Sequence, residues 1–138
     1  SIVSGFLFWN FPKAKIFMGD VGSSFLGFLF AVLALYALKI DFNLFLAWII
    51  CLGIFIVDAT FTLVRRIFRG EKIYQAHRSH AYQYAARYFS SHTVVSLAIL
   101  LINFVWLMPC AFFVLNKSIS PLFGLIIAYI PLIFLAVY

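Results

Sequence analysis

Residues 21–40 run Val21-Gly-Ser-Ser-Phe-Leu-Gly-Phe-Leu-Phe-Ala-Val-Leu-Ala-Leu-Tyr-Ala-Leu-Lys-Ile40, with one charge, Lys39, near the far end. As a helix rising about 1.5 Å per residue, this stretch is about 30 Å long, the thickness of a bilayer's hydrocarbon core. Residues 42–64, 93–115 and 121–138 have the same character. Residues 2–9 are apolar but too short, and suit the end of an earlier span. Composition agrees. Of 138 residues, 66% are hydrophobic and 10% charged, against roughly 45–50% and about 25% in globular proteins. A soluble monomer of this length leaves about a third of its unfolded surface in water, too much for so apolar a chain. The expected fold is all-α and polytopic in a membrane, with four transmembrane helices and one long loop, residues 65–92.

Charge sets the orientation. Lys13, Lys15, Arg65, Arg66, Arg69, Lys72, Arg78 and Arg87 precede the first span or lie in the long loop, whereas only Lys39 and Lys117 fall on the opposite side. Positive residues stay inside, so the long loop is expected in the cytoplasm and the protein in the inner (plasma) membrane. The net charge of +6 then reports topology, not a nucleic-acid partner. Pro121 suits the first turn of the last helix, and Pro109 and Pro131 should bend theirs. Cys51 and Cys110 lie in apolar stretches and read as packed thiols. In the long loop Ala81, Tyr84, Ala85, Tyr88 and Phe89 recur at helical spacing, the pattern of a short amphipathic helix on the membrane surface.

Four acids are present: Asp20, Asp41, Asp58 and Glu71. Asp41 sits in the short outer turn and reads as solvated, and Glu71 as half of a surface pair. Asp20 lies in Phe17-Met-Gly-Asp-Val-Gly-Ser-Ser24, at the cytoplasmic mouth of the first span. Gly19 and Gly22 let backbone approach a bulky ligand, while Ser23, Ser24 and the helix start offer donors to phosphate. With Lys13 and Lys15 near, the Asp20 carboxylate could hold a Mg²⁺ ion bridging a diphosphate. It could equally cap the helix. Asp58, Thr62, Arg65 and Arg69 share one helix face, so Asp58 either pairs internally with Arg65 or Lys15, or walls a polar cleft.

The loop carries His77-Arg-Ser-His80. Two histidines three apart with no cysteine near are too few for zinc. Beside Arg78 they fit phosphate recognition better. Arg65, Arg66 and Arg69 are topological anchors or substrate clamps, and His92, after Ser90 and Ser91, suits helix capping.

Three stretches, Lys13-Ala-Lys-Ile-Phe-Met-Gly-Asp-Val-Gly-Ser23, Asp58-Ala-Thr-Phe-Thr-Leu-Val-Arg-Arg66 and Ala76-His-Arg-Ser-His-Ala-Tyr-Gln83, resemble in order and spacing the polyprenyl-phosphate N-acetylhexosamine-1-phosphate transferases. The resemblance covers about the first two-thirds of the chain. It implies a Mg²⁺-dependent enzyme (Mn²⁺ as a substitute) that joins a polyprenyl phosphate to the sugar phosphate of a UDP-N-acetylhexosamine and releases UMP. By analogy Asp20 is the metal ligand and a catalytic residue together with His80. Lys15, Gly22, Ser23, Arg65, His77 and Arg78 would contact substrate phosphates, with Asp58 in support. The family's adjacent aspartate pair has no counterpart here, so the chain reads as the C-terminal portion of such an enzyme, inactive alone. Two separated histidines, not a run of three, lean towards the lipopolysaccharide or O-antigen group over the muramoyl-pentapeptide translocases. Membrane lipid is an expected partner, and a homodimer is allowed. Two rivals are an enzyme for another nucleotide-activated phosphoalcohol and a noncatalytic transporter or scaffold fragment with a lipid-binding basic loop.

Overall fold

The computed structural model describes residues 2–12, 14–70 and 80–137, and every regular element among them is helical. A short α1 (Ile2–Asn10) leads through a loop into α2 (Gly19–Ile40). Next come α3 (Phe42–Cys51) and α4 (Gly53–Phe68), then α5 (Ala81–Tyr88), α6 (His92–Leu115) and α7 (Pro121–Val137). Helices α2 and α6, with 22 and 24 residues, are long and apolar enough to cross a bilayer. Helix α7 is apolar but only 17 residues long.

The expected second span, residues 42–64, is not straight. Helices α3 and α4 meet at 68°, because Leu52 leaves helical geometry (φ −84°, ψ 1°) and Gly53 follows it. Such kinks have local causes, and here a neighbour holds the break open. The Tyr129 hydroxyl of α7 donates to the Ile49 carbonyl at 2.8 Å. A Cβ at Gly53 would stand 3.0 Å from the Tyr129 ring and 3.2 Å from Leu132, so glycine lets α7 close on the bend.

Around it Leu46, Ala47 and Ile50 of α3 pack on Leu107, Ala111 and Val114 of α6, with Val57, Ala128 and Leu132 completing the core. Small residues at helix contacts are the usual solution in lipid, where backbones must approach closely. Most phenylalanines face outward: Phe28 is 69% and Phe134 72% exposed. In water that surface would aggregate; in a bilayer it is the solvated face.

Pro109 does not break its helix. It follows a π-helical stretch, Asn103–Leu107, in which the Met108 N–H reaches back to the Asn103 carbonyl, and α6 continues as one span. The Asn103 amide is spent on the Ile99 carbonyl (3.0 Å). At one end of the bundle Asp41 is not merely solvated. It caps α3 by accepting from the Asn43 N–H (2.6 Å) and faces Lys117 at 3.6 Å. That contact ties the α2–α3 turn to the α6–α7 turn. The opposite end gathers residues 10–20, the C-terminal half of α4, α5 and the start of α6.

Candidate functional site

At that second end a transmembrane acid reaches a loop histidine. Asp58, on α4, places Oδ2 3.0 Å from His80 Nδ1. Its other oxygen accepts the N–H of Ala81, the first residue of α5, at 2.7 Å. Both side chains are mostly enclosed, at 28% exposure for His80 and 16% for Asp58. The histidine is restrained twice more. Its ring stacks on Tyr82 with centroids 5.6 Å apart, and its backbone N–H points to Gln83 Oε1 at 3.3 Å. The expected pairing of Asp58 with Arg65 or Lys15 is therefore replaced by one with His80. Nothing in the spacing of residues 58 and 80 announces it.

The polar face of α4 is also turned slightly from the expected stripe. Thr62 and Arg66 are buried, 3% and 5% exposed, while Arg65 and Arg69 lie exposed at the rim. Helix α5 forms as the spacing predicts, but its buried residue is Ala86. Tyr84, Tyr88 and Phe89 stay outside, because the small alanines permit contact with α4 and α6 and leave the aromatic side for the interface. Tyr84 carries the Arg87 guanidinium 4.5 Å and the Arg65 guanidinium 6.0 Å from its ring centroid, a cation–π arrangement that holds Arg65 beside α5.

The loop before α2 is built by a residue the motif reading passed over. Asn10 Oδ1 accepts from the N–H groups of Lys15 (2.8 Å) and Ile16 (2.9 Å), and its Nδ2 donates to the Ile16 carbonyl (2.7 Å). Thr93 Oγ1 donates to the Pro12 carbonyl at 3.0 Å, joining this loop to the base of α6. Asn-Phe-Pro is a turn signal that could have flagged Asn10; Thr93 gives no such sign. Lys15 lies over the Trp9 ring, 5.6 Å from its centroid.

Gly19 has φ +70° with open space around a would-be Cβ, so the turn into α2 itself asks for glycine. Gly22 serves packing, since a Cβ there would run into the Met18 side chain. The Ser23 hydroxyl donates back to the Gly19 and Asp20 carbonyls (3.1 and 3.2 Å). Asp20 does not cap α2: the cap position is Met18, with no side-chain bond. The exposed Asp20 carboxylate has no hydrogen-bonding or ionic partner among the described residues. Ser91 caps α6 through the Val94 N–H, so the cap expected of His92 falls one residue earlier. His77 and Arg78 lie outside the described residues.

Among the described residues no three His, Cys, Asp or Glu side chains cluster as a ready-made metal cage. Magnesium does not require one. It is commonly held by one or two carboxylates with phosphate oxygens and water, and the unengaged Asp20 carboxylate at a helix start fits a single such ligand. Between α4 and α7 an apolar groove of about 280 Å³ runs past Thr60, Phe61, Val64 and Tyr129. It continues past Phe61 and Val64 to a hollow edged by Arg65 and Arg69.

A helical membrane protein whose polar end joins an acid–histidine pair, a basic rim and a glycine-flanked carboxylate belongs with proteins that handle anionic groups at a bilayer surface. The comparisons specify which. The glycosyl transferase family 4 model matches residues 1–38. A probable undecaprenyl-phosphate N-acetylglucosaminyl 1-phosphate transferase of Bacillus subtilis (strain 168) is 38% identical over 135 residues, 96% of this chain and 37% of that protein. The chain belongs to glycosyl transferase family 4 and spans little more than a third of the length of that relative. No solved structure matches it.

Proposed function

We propose that the complete gene product transfers an N-acetylhexosamine 1-phosphate from a UDP-sugar to a polyprenyl phosphate and releases UMP. In this reading all four apolar segments lie in the plasma membrane with the Asp58–His80 end in the cytoplasm. The product begins lipopolysaccharide, O-antigen or a related cell-envelope glycan. The observation that carries the proposal is the groove between α4 and α7. It is apolar within the bilayer and ends at Arg65 and Arg69, beside the residues that hold His80. That is the shape of an amphiphile with a long hydrocarbon tail and an anionic head. A scattered polar surface, as a scaffold fragment would have, offers no such alignment.

The chemistry asks little of a base. A phosphate monoester is mostly ionised at neutral pH, with its second pKa about 6. An acceptor phosphate oxygen forms a bond to the sugar-linked phosphorus. The bond from that phosphorus to the bridging oxygen breaks, and UMP leaves with the bridging oxygen. The protein's work is to align the groups and neutralise charge. Lys15 and Arg65 supply positive charge, His80 meets a phosphoryl oxygen, and His77 and Arg78 extend that contact. Mg²⁺, or Mn²⁺ in its place, would neutralise the diphosphate, with Asp20 as a ligand.

The test is UMP release from UDP-GlcNAc and polyprenyl phosphate in membranes holding the complete gene product. Asp20→Asn and His80→Ala should each lower turnover by about 100-fold or more without loss of insertion. His92→Ala, at the exposed first turn of α6, should stay near wild type. Near-normal activity of Asp20→Asn, or a larger loss in His92→Ala than in His80→Ala, rejects the assignment.

A further inference from the structure

Asp58 does two things at once: Oδ1 accepts the first N–H of α5 and Oδ2 meets the ring of the residue before it. An ionised carboxylate only accepts hydrogen bonds, so the His80 nitrogen facing it, Nδ1, must carry the proton. In the neutral ring the lone pair then sits on Nε2, on the other side of the imidazole. Tyr82 stacked on the ring and the Gln83 contact at its backbone leave little freedom to reverse this. We propose that Asp58 is a positioning residue, which fixes the His80 tautomer and directs Nε2 to the phosphoryl groups. The identity of what Nε2 meets rests on the transferase reading; the tautomer does not.

The two duties of Asp58 can be separated. Asp58→Asn keeps an acceptor for the Ala81 N–H, but its amide N–H₂ now donates towards His80 Nδ1 and moves the ring proton to Nε2. Ala81→Pro does the opposite. It deletes the N–H that Asp58 caps while leaving the carboxylate on His80. Proline is at home in the first position of a helix, and His80, at φ −69° and ψ 146°, already has the extended backbone required before it.

The experiment uses the complete gene product in detergent micelles, labelled with nitrogen-15 histidine, with His80 assigned by its loss in His80→Gln. Wild type should show Nδ1 protonated, Asp58→Asn should show Nε2 protonated, and Ala81→Pro should match wild type. In the UMP assay Asp58→Asn should lose about 10- to 100-fold in kcat, as residues supporting a functional group do. Its KM for UDP-GlcNAc should change by less than about threefold, and Ala81→Pro should retain wild-type kcat. The proposal is overturned by an Nε2-protonated wild type, by unchanged kcat in Asp58→Asn, or by an equal loss in Ala81→Pro, which would make Asp58 a helix cap only. If Asp58→Asn fails to insert, the wild-type spectrum and Ala81→Pro still decide. Absence of UMP release from wild type would sink the transferase reading while the ring spectra judged the tautomer separately.

Discussion

Tyr129 of α7 holds the carbonyl of Ile49 across 80 residues of sequence, at the point where α3 turns into α4. In a regular helix that carbonyl would serve the N–H four residues on, at Gly53; the break removes the option. Within a bilayer there is no water to take over. Tyr129→Phe keeps the ring against Gly53 and deletes only the hydroxyl. It should destabilise the protein by about 0.6–1.7 kcal/mol, the range found for interhelical hydrogen bonds in membranes. Unfolding in mixed micelles measures this; an unchanged midpoint would mean the carbonyl has another partner.

A second contact is steric. A Cβ on Gly124 would collide with Val114 Cγ2 and lie 3.2 Å from Ile119, and the short branched valine cannot swing aside. Gly124→Ala should therefore cost about 1–3 kcal/mol, the range for overpacking. Val114→Ala in the same chain should recover part of that loss, a coupling read by a double-mutant cycle. Gly27→Ala is the control. Nothing lies within 4 Å of a Cβ there, so helix propensity should make it neutral or slightly stabilising.

These two sites mark where sequence reasoning stopped. The spans were legible because each is a long run whose hydropathy needs no partner to interpret, and the end-to-end sorting of charge followed from counting. The bend at Leu52 was not, since apolar residues on both sides hide a break that depends on Gly53 and on a tyrosine far along the chain. Asp20 and His80 stood out through local motifs. Their supports did not: the Asp58–His80 contact spans 22 residues of sequence and the Thr93–Pro12 contact 81, and neither leaves a periodic trace. The stripe through Arg65 was misjudged by one position because helix phase alone does not say which neighbour covers the face.

The outer turns should respond to acid. The Asn43 N–H and, behind it, the Lys117 ammonium hold the Asp41 carboxyl below its ordinary value of 3.8. A carboxylate depressed on folding contributes stability above its unfolded pKa and loses that contribution as pH falls through the folded value. Wild type should therefore exceed Asp41→Ala in thermal stability at neutral pH, and the gap should narrow only below the ordinary value. A gap that closed between neutral pH and about pH 5 would point to another group. High salt should trim the Lys117 part first, because that ammonium is 70% exposed.

The last prediction concerns the loop that delivers Lys15 and Asp20. Asn10 makes three hydrogen bonds to Lys15 and Ile16 backbone, and its amide is the only side-chain donor or acceptor seen on those two residues among the described contacts. Asn10→Asp keeps the acceptor for both N–H groups but replaces the donor with a charge facing the Ile16 carbonyl. Asn10→Ala abandons all three. Amide exchange at Lys15 and Ile16 should accelerate in both variants, more in Asn10→Ala. If that loop sets the positions of Lys15 and Asp20, UMP release should fall in the same order while His80→Ala leaves the exchange rates unchanged. Equal exchange in wild type and Asn10→Ala would show that the Thr93–Pro12 bond alone orders the loop.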